Sequence, residues 1–200
     1  MKILSIHVFS LCQNSPIILS SAFSLSFISI FQRGTLKEFL NFHSRLVIER
    51  VPQDTHVQVQ LEKGLCYAMR TSDNIGATII CDEEYPKRVA IEFLLKIIDN
   101  FKIFLKEKKI DLNVYTVDTD IKFDYIKNEI EGWQDPSQKD GIMKLQDELN
   151  DVMDIMKKNL EELIKREDNL ESLVIKSNDL SQTSKNFYIH AKKTNRCCNF

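Results

Sequence analysis

An α+β domain followed by a long helical segment is the fold class that this 200-residue sequence predicts, and three observations predict it. Alternating apolar and polar residues mark short strands in the first eighty residues, and two amphipathic stretches at helical spacing lie among and after them. From Lys139 to Cys198, apolar residues recur with a seven-residue period. An antiparallel five-stranded sheet with a helix on each face, or both helices on one face, would bury the stripes of the first part. The length allows a domain of about 130 residues, burying roughly two thirds of its unfolded surface, plus a helix of about 80 Å.

Taken in order, the first element is a run from Ile3 to Gln32 without Lys, Arg, Asp or Glu. ILSIHVFSLC after Lys2 resembles the apolar part of a signal peptide or a short membrane span. His7, repeated Ser and the turn-like Gln13-Asn14-Ser15-Pro16 divide the run, so a hairpin of two strands, Lys2 to Ser10 and Ile17 to Phe27, is the better reading. TLKEFLNFHSRLVIERV then places Leu36, Phe39, Leu40, Phe42, Leu46 and Val47 on one helical face, with Thr35 as N-cap and Pro52 as the stop. Three strands follow, His56 to Leu61, Leu65 to Thr71 and Ile75 to Cys81, turned at Lys63-Gly64 and Ser72-Asp73-Asn74. From Pro86 to Lys108 a second helix carries a broad apolar face. Asp111 to Asp140 is less regular, with a short helix over Phe123 to Ile130 and a break at Gly132 to Pro136, and reads as a linker.

The seven-residue pattern forms two series. One is Ile142, Leu149, Met156, Leu163, Leu170, Ser177, Ser184 and Ala191; the other is Leu145, Val152, Asn159, Arg166, Leu173, Leu180, Phe187 and Thr194. A helix with so narrow an apolar seam is not stable alone in water and must bury the seam against other helices. Arg166 is the departure. Inside a bundle an unpaired guanidinium costs several kcal/mol, so partner helices must supply acceptors at its level. The alternative is an ordinary coiled coil in which Arg166 snorkels from the seam edge.

Composition excludes several chemistries. A net charge of −2 argues against nucleic acid as a partner. Five cysteines, odd in number and without metal-ligand spacing, read as reduced thiols of a cytosolic protein. Cys66, Cys81, His43 and His56 lack the local context of a Cys/His nucleophile, and no G-x-x-x-x-G-K-[ST] stretch could cradle a phosphate. Thr116 to Asp120 lacks the spacing of a calcium loop. No catalytic residue, no metal site and no enzymatic activity are expected.

Several separate blocks carry a resemblance. FQRGTLKEFLNF (Phe31 to Phe42), IERV (Ile48 to Val51), DEEYPKRVA (Asp82 to Ala90), VMDIMKKNLEELIKREDNLESLV (Val152 to Val174), SKNFYIHAKK (Ser184 to Lys193) and the Cys197-Cys198 pair resemble, in order, the longin-domain R-SNAREs of the lipid-anchored Ykt type. The resemblance implies a longin (profilin-like) domain over 1–135, an R-SNARE coiled-coil motif over 136–196 and a lipidation tail over 197–200. It places Arg166 in the ionic central layer, facing glutamines of Qa, Qb and Qc partner helices, with the other seam residues as core layers. It implies fusion of intracellular membranes in vesicular transport, and disassembly by an external SNARE disassembly machinery. It also implies that the longin domain folds back on the motif, with Phe42 and Phe39 as its contact surface; the alternative is that both belong to the longin core, which is the better reading for Phe39. The expected location is the cytosol and the cytoplasmic face of Golgi, ER-derived vesicle or endosomal membranes.

The expected anchor is covalent, with no dissociable cofactor: a prenyl lipid, and a palmitoyl group as a second candidate. A four-residue Cys-a-a-X box begins at Cys197, and the terminal Phe200 leans toward geranylgeranyl. In the family the cysteine pair sits one residue further from the end. Clipping after Cys197 would here remove Cys198, whereas the Cys-Cys-x-x ending also resembles Rab tails that take two geranylgeranyl groups. Stable attachment needs two lipids, or one with the basic Lys192, Lys193 and Arg196. A second function class stays open, a lipid-anchored adaptor or tether whose helix forms a homodimeric coiled coil. Arg166 separates the two, because like charges would face each other in a homodimer.

Overall fold

The computed structural model describes residues 2–13, 15–136, 156–164 and 169–197, with residues 193–197 described by their main chain alone. Six strands, β1 (Ile3–Ser10), β2 (Ile17–Phe23), β3 (Thr55–Gln60), β4 (Leu65–Arg70), β5 (Ile75–Cys81) and β6 (Met156–Asn159), form one sheet in the order β2-β1-β5-β4-β3-β6. The charge-free N-terminal run is a hairpin: β1 and β2 pair antiparallel, and β1 also pairs antiparallel with β5. Every residue of β5 is buried, because both of its faces are covered.

Two helices cover those faces. Ile75, Ala77, Ile79 and Cys81 pack with Val89, Phe93, Ile97 and Phe101 of α2 (Lys87–Lys108). Ile80, Cys66 and Val59 pack on the other side with Leu40, Phe42, Val47 and Ile48 of α1 (Ile30–Ile48). The close seating of α1 depends on Gly76, where an added Cβ would lie 2.7 Å from the Ile48 side chain. Helix α1 starts at Ile30, earlier than the expected Thr35, with Ser29 as N-cap. The Arg33 guanidinium supplies the reason: Nε donates to the Ile28 carbonyl and an Nη to that of Ser26, each at 2.9 Å, fastening the first turn to the preceding loop.

Two expectations are corrected. The stretch after Asp111 is core, not linker. Leu112, Phe123, Ile126, Ile130 and Trp133 all join the α2-side cluster, with Ile126 on the short helix α3 (Tyr125–Glu129). Trp133 stacks on Phe93 with ring centroids 4.3 Å apart, and Gln134 exchanges two hydrogen bonds with the Ile3 main chain. Irregular main chain concealed this, because apolar residues in a loop show no period.

The second correction concerns the sheet and the long helix. The sheet has a sixth strand, and β6 runs parallel to β3, with Val57 opposite Met156 and Gln60 opposite Asn159. The remaining described residues of the C-terminal segment form α4 (Leu160–Leu163), α5 (Leu170–Lys176) and α6 (Gln182–Cys197) in place of one continuous helix. An unpaired edge of β3 offers main-chain donors and acceptors, and a narrow apolar seam without partner helices gains more by burial on the domain than by continuing as a lone helix.

Candidate functional site

The site is the surface on which the C-terminal segment lies. Its floor is the half of α1 that turns away from the sheet, together with β3. Leu160, Leu163, Ile164, Val174 and Leu180 are all buried in one cluster with Phe42, Leu46, Val57 and Val59. Phe42 is itself buried and meets the His43 ring edge-on, while Phe39 is half-buried with its ring 6.2 Å from that of Tyr188.

Local sequence explains how the segment bends to fit. Asn159 ends β6 and caps α4, its N–H donating to the Glu162 carboxylate at 3.1 Å. Asn169 starts α5, its side-chain oxygen accepting from the Ser172 N–H at 2.7 Å. Each asparagine satisfies donors that a helix start leaves open, so the chain restarts helices at low cost. Ser181 follows the same logic just before α6, its hydroxyl accepting from the N–H of the buried Ser184 at 3.3 Å.

Polar contacts fasten the segment. Arg45 grips both oxygens of Asp179, through Nε at 2.9 Å and one Nη at 3.0 Å, and the same Nη reaches Asp118 at 2.6 Å; the other Nη donates to the Pro16 carbonyl. Burial opposes the Arg45 charge, but the two carboxylates outweigh it and hold the guanidinium pKa above its ordinary value. Glu38 accepts from the Ser181 N–H at 2.7 Å. Burial raises the Glu38 pKa, yet its hydrogen bonds to Ser181 and Ser184 bring it below the ordinary value. Between α1 and α5 lies an open cleft of about 640 Å³ with Phe42, Leu46 and Leu173 as its apolar wall and Arg45, Lys176 and Asp179 at its rim.

Beneath α1 the sheet contributes polar groups. His7 is fully buried, with Nε2 2.8 Å from the Asn41 side-chain oxygen and Nδ1 2.9 Å from the Ser44 hydroxyl. Desolvation lowers its pKa to about 4, with the Asn41 hydrogen bond acting against the shift. Cys66 and Cys81, the thiols considered for nucleophilic chemistry, are buried on opposite faces of the sheet, and burial pushes both up, away from thiolate. Among the described residues no cluster has the make-up of a metal site, and no helix is long and apolar enough to cross a membrane.

Both parts of the chain match known families. Residues 23–124 match the family model for a Regulated-SNARE-like domain, and residues 141–199 match that for Synaptobrevin. The synaptobrevin homologs YKT6 of Debaryomyces hansenii and ykt6 of Schizosaccharomyces pombe are each 33% identical over 198 residues, covering 99% of this chain and 98% of theirs. The chain belongs to the longin-domain synaptobrevin family. A VAMP-like protein YKT61 of Arabidopsis thaliana is similar too, 34% identical over 185 residues, covering 92% of this chain and 91% of its own.

In this synaptobrevin homolog the seam residues do not share one environment. Leu163, Leu180 and Ser184 are buried, whereas Leu170, Leu173 and Ser177 are half-buried. Met156, Asn159, Phe187 and Ala191 are exposed. Thr194 lies on α6, and Cys197 is its last residue. Arg166, Ile142, Leu145, Leu149, Val152 and Cys198 lie outside the described residues. Three residues that the seven-residue pattern passed over, Leu160, Ile164 and Val174, carry much of the docked contact. Their apolar type was the available signal, but a continuous helix would place them beside the seam. Bending at Asn159 and Asn169 turns them inward. Arg45, Asp179 and Asp118 were missed too, since a charged triad drawn from three distant segments has no local pattern.

Proposed function

We propose that this chain is an R-SNARE of vesicular transport whose longin domain, residues 1–135, holds its SNARE motif, residues 136–196, in a docked state. The carrying observation is that Leu163 and Leu180, layer residues of the proposed bundle, are 8% and 4% exposed because they are buried in one cluster with residues of α1 and β3. The same apolar side chains cannot face α1 and three partner helices at once. Docking and zippering therefore compete for one surface, and release from α1 must precede assembly.

In the assembled state Arg166 would sit among acceptors from Qa, Qb and Qc helices, flanked by layers at Leu163 and Leu170 and extending from Ile142 to Thr194. Burial of apolar layers at roughly 25 cal/mol per Å² supplies a driving force sufficient to draw two bilayers together. Force on the membrane passes through lipid at Cys197 or Cys198, in the tail 197–200. An external disassembly machinery resets the complex, and the cytoplasmic faces of Golgi, ER-derived and endosomal membranes are the proposed sites of action.

The test is assembly of the full chain with Qa, Qb and Qc helices, followed by circular dichroism and a thermal melt. Wild-type protein should assemble slowly, Phe42→Ser should assemble faster and move to the membrane fraction of cells, and Arg166→Leu should lower the melt of the complex. Equal assembly rates for wild type and Phe42→Ser would remove the competition. Failure of both to assemble with any Q-SNARE set would remove the SNARE reading itself.

A further inference from the structure

The first turn of α1 carries the two most exposed large apolar side chains among the described residues, and the loop before it carries a third exposed ring. Phe31 is 96% exposed, Ile30 75% and Phe27 44%, all within one turn of chain. An exposed apolar cluster rimmed by polar residues has the make-up of a contact surface. The cluster does not come from a loose loop, since Arg33 ties the carbonyls of Ser26 and Ile28 to the first turn of α1. The tip is held out in a fixed shape.

Its electrostatics point one way. The first acidic residue of the sequence is Glu38, and that carboxylate is occupied by the Ser181 N–H. Lys2 lies over the Phe27 ring at 4.1 Å and Lys37 near the Phe23 ring at 5.2 Å, so with Arg33 three cations flank the apolar tip. Helix α1 begins at the tip with no acidic residue in its first turn, and its N-cap Ser29 makes no side-chain capping bond. The positive end of a helix of 19 residues is thus left open beside the exposed rings. On the neighbouring strand end the Asp82 N–H donates to the Lys2 carbonyl at 3.0 Å, and Glu83 is held by the Gln60 amide at 2.8 Å.

We propose that Phe27, Ile30 and Phe31, framed by Lys2, Arg33 and Lys37, form a docking surface for an anionic lipid bilayer. A convex apolar tip needs no matching pocket in a fluid layer; the rings enter the boundary between headgroups and acyl chains while the cations and the open helix end meet phosphate. This contact is separate from any lipid on the C-terminal cysteines and from release of the SNARE motif. It would orient the longin domain with the start of α1 against the membrane. A single small tip gives weak, reversible attachment, so its effect is to lengthen residence of a protein that also carries an anchor.

The test uses the full chain made without lipid modification and vesicle flotation. Vesicles of phosphatidylcholine with about 30 mol% phosphatidylserine should retain the wild type and lose Phe31→Glu by about tenfold, since an apolar ring is exchanged for a like-charged group. Pure phosphatidylcholine should retain less. Thermal melts of wild type and Phe31→Glu should coincide, because the side chain touches almost nothing. Equal retention of the two proteins, or equal retention on neutral and anionic vesicles, would overturn the proposal. So would a wild-type dimer in sedimentation that Phe31→Glu dissolves, which would make the tip a contact between copies.

Discussion

The two faces of the sheet are built to different standards. On the α2 face the contacts are mainly apolar and aromatic: Phe93 on Trp133, Phe101 against Phe123, and Ile6, Val8 and Ile79 beneath them, with the Tyr85 hydroxyl donating to the Trp133 carbonyl. On the α1 face the sheet presents Ser5, His7 and Thr78, with the hydroxyls of Ser5 and Thr78 lacking a hydrogen-bond partner, and α1 answers with Asn41, Ser44 and Arg45. Buried polar groups hold a helix in register but add less net stability than the same area of apolar contact. The outer side of α1 is then finished by a segment held through short helices, an edge strand and a few polar bonds. One face is closed by core, and on the proposed function the other is covered by a segment that must leave.

Breaking the permanent face should give the largest effect. Phe93→Ala removes a fully buried ring from its stack on Trp133 and should cost about 3–5 kcal/mol, read by urea unfolding. Because the loss is global, signals from the longin domain and from the C-terminal segment should fall together. Separate transitions would contradict the division of labour between the faces.

A pH series sharpens the comparison on the α1 side. The folded His7 pKa is about 4 against an ordinary 6.5, so between these values the unfolded chain binds the extra proton. Stability linked to neutral His7 is fully present above pH 6.5 and declines as pH falls toward 4, by about 3 kcal/mol in all. His7→Gln should flatten that part of the stability profile. A profile unchanged by the substitution would show that His7 titrates normally in the folded state.

The smallest effect should come from the fastening alone. Asp179→Asn weakens the double contact with Arg45 and should loosen the docked segment by about 1–2 kcal/mol, visible as faster amide exchange over α5 and α6. The Tm of the longin domain should hardly move, since its own core is untouched. If exchange in α2 accelerates equally, the segment is part of the permanent fold.

Much of this was legible in the chain. Alternation and the turns at Lys63-Gly64 and Ser72-Asp73-Asn74 marked β3, β4 and β5 to within a residue at either end, because a strand half-buried on a sheet imposes period two on its own sequence. Pro86 and the apolar face to Lys108 marked α2 for the corresponding helical reason. Of the site, Phe39 and Phe42 were expected from the family resemblance, and the seam residues from their period, since periodic apolar residues disclose that they need a partner. Arg45 with Asp118 and Asp179, and Leu160, Ile164 and Val174, were not, because none belongs to a repeating pattern.

What the sequence by itself determined is which stretches are sticky, and with what period. What only the tertiary structure decided is where each sticky stretch goes. Trp133 and Phe123 left an irregular stretch for the core because Phe93 and Phe101 offered them rings to pack on. Met156 to Asn159 became a strand because β3 stood at an open edge. Leu163 and Leu180 joined the cluster of α1 and β3 because the apolar stripe was complete before its partner was chosen. Local periodicity records the demand for burial, whereas the supply comes from residues distant in the chain, and folding brings the two together.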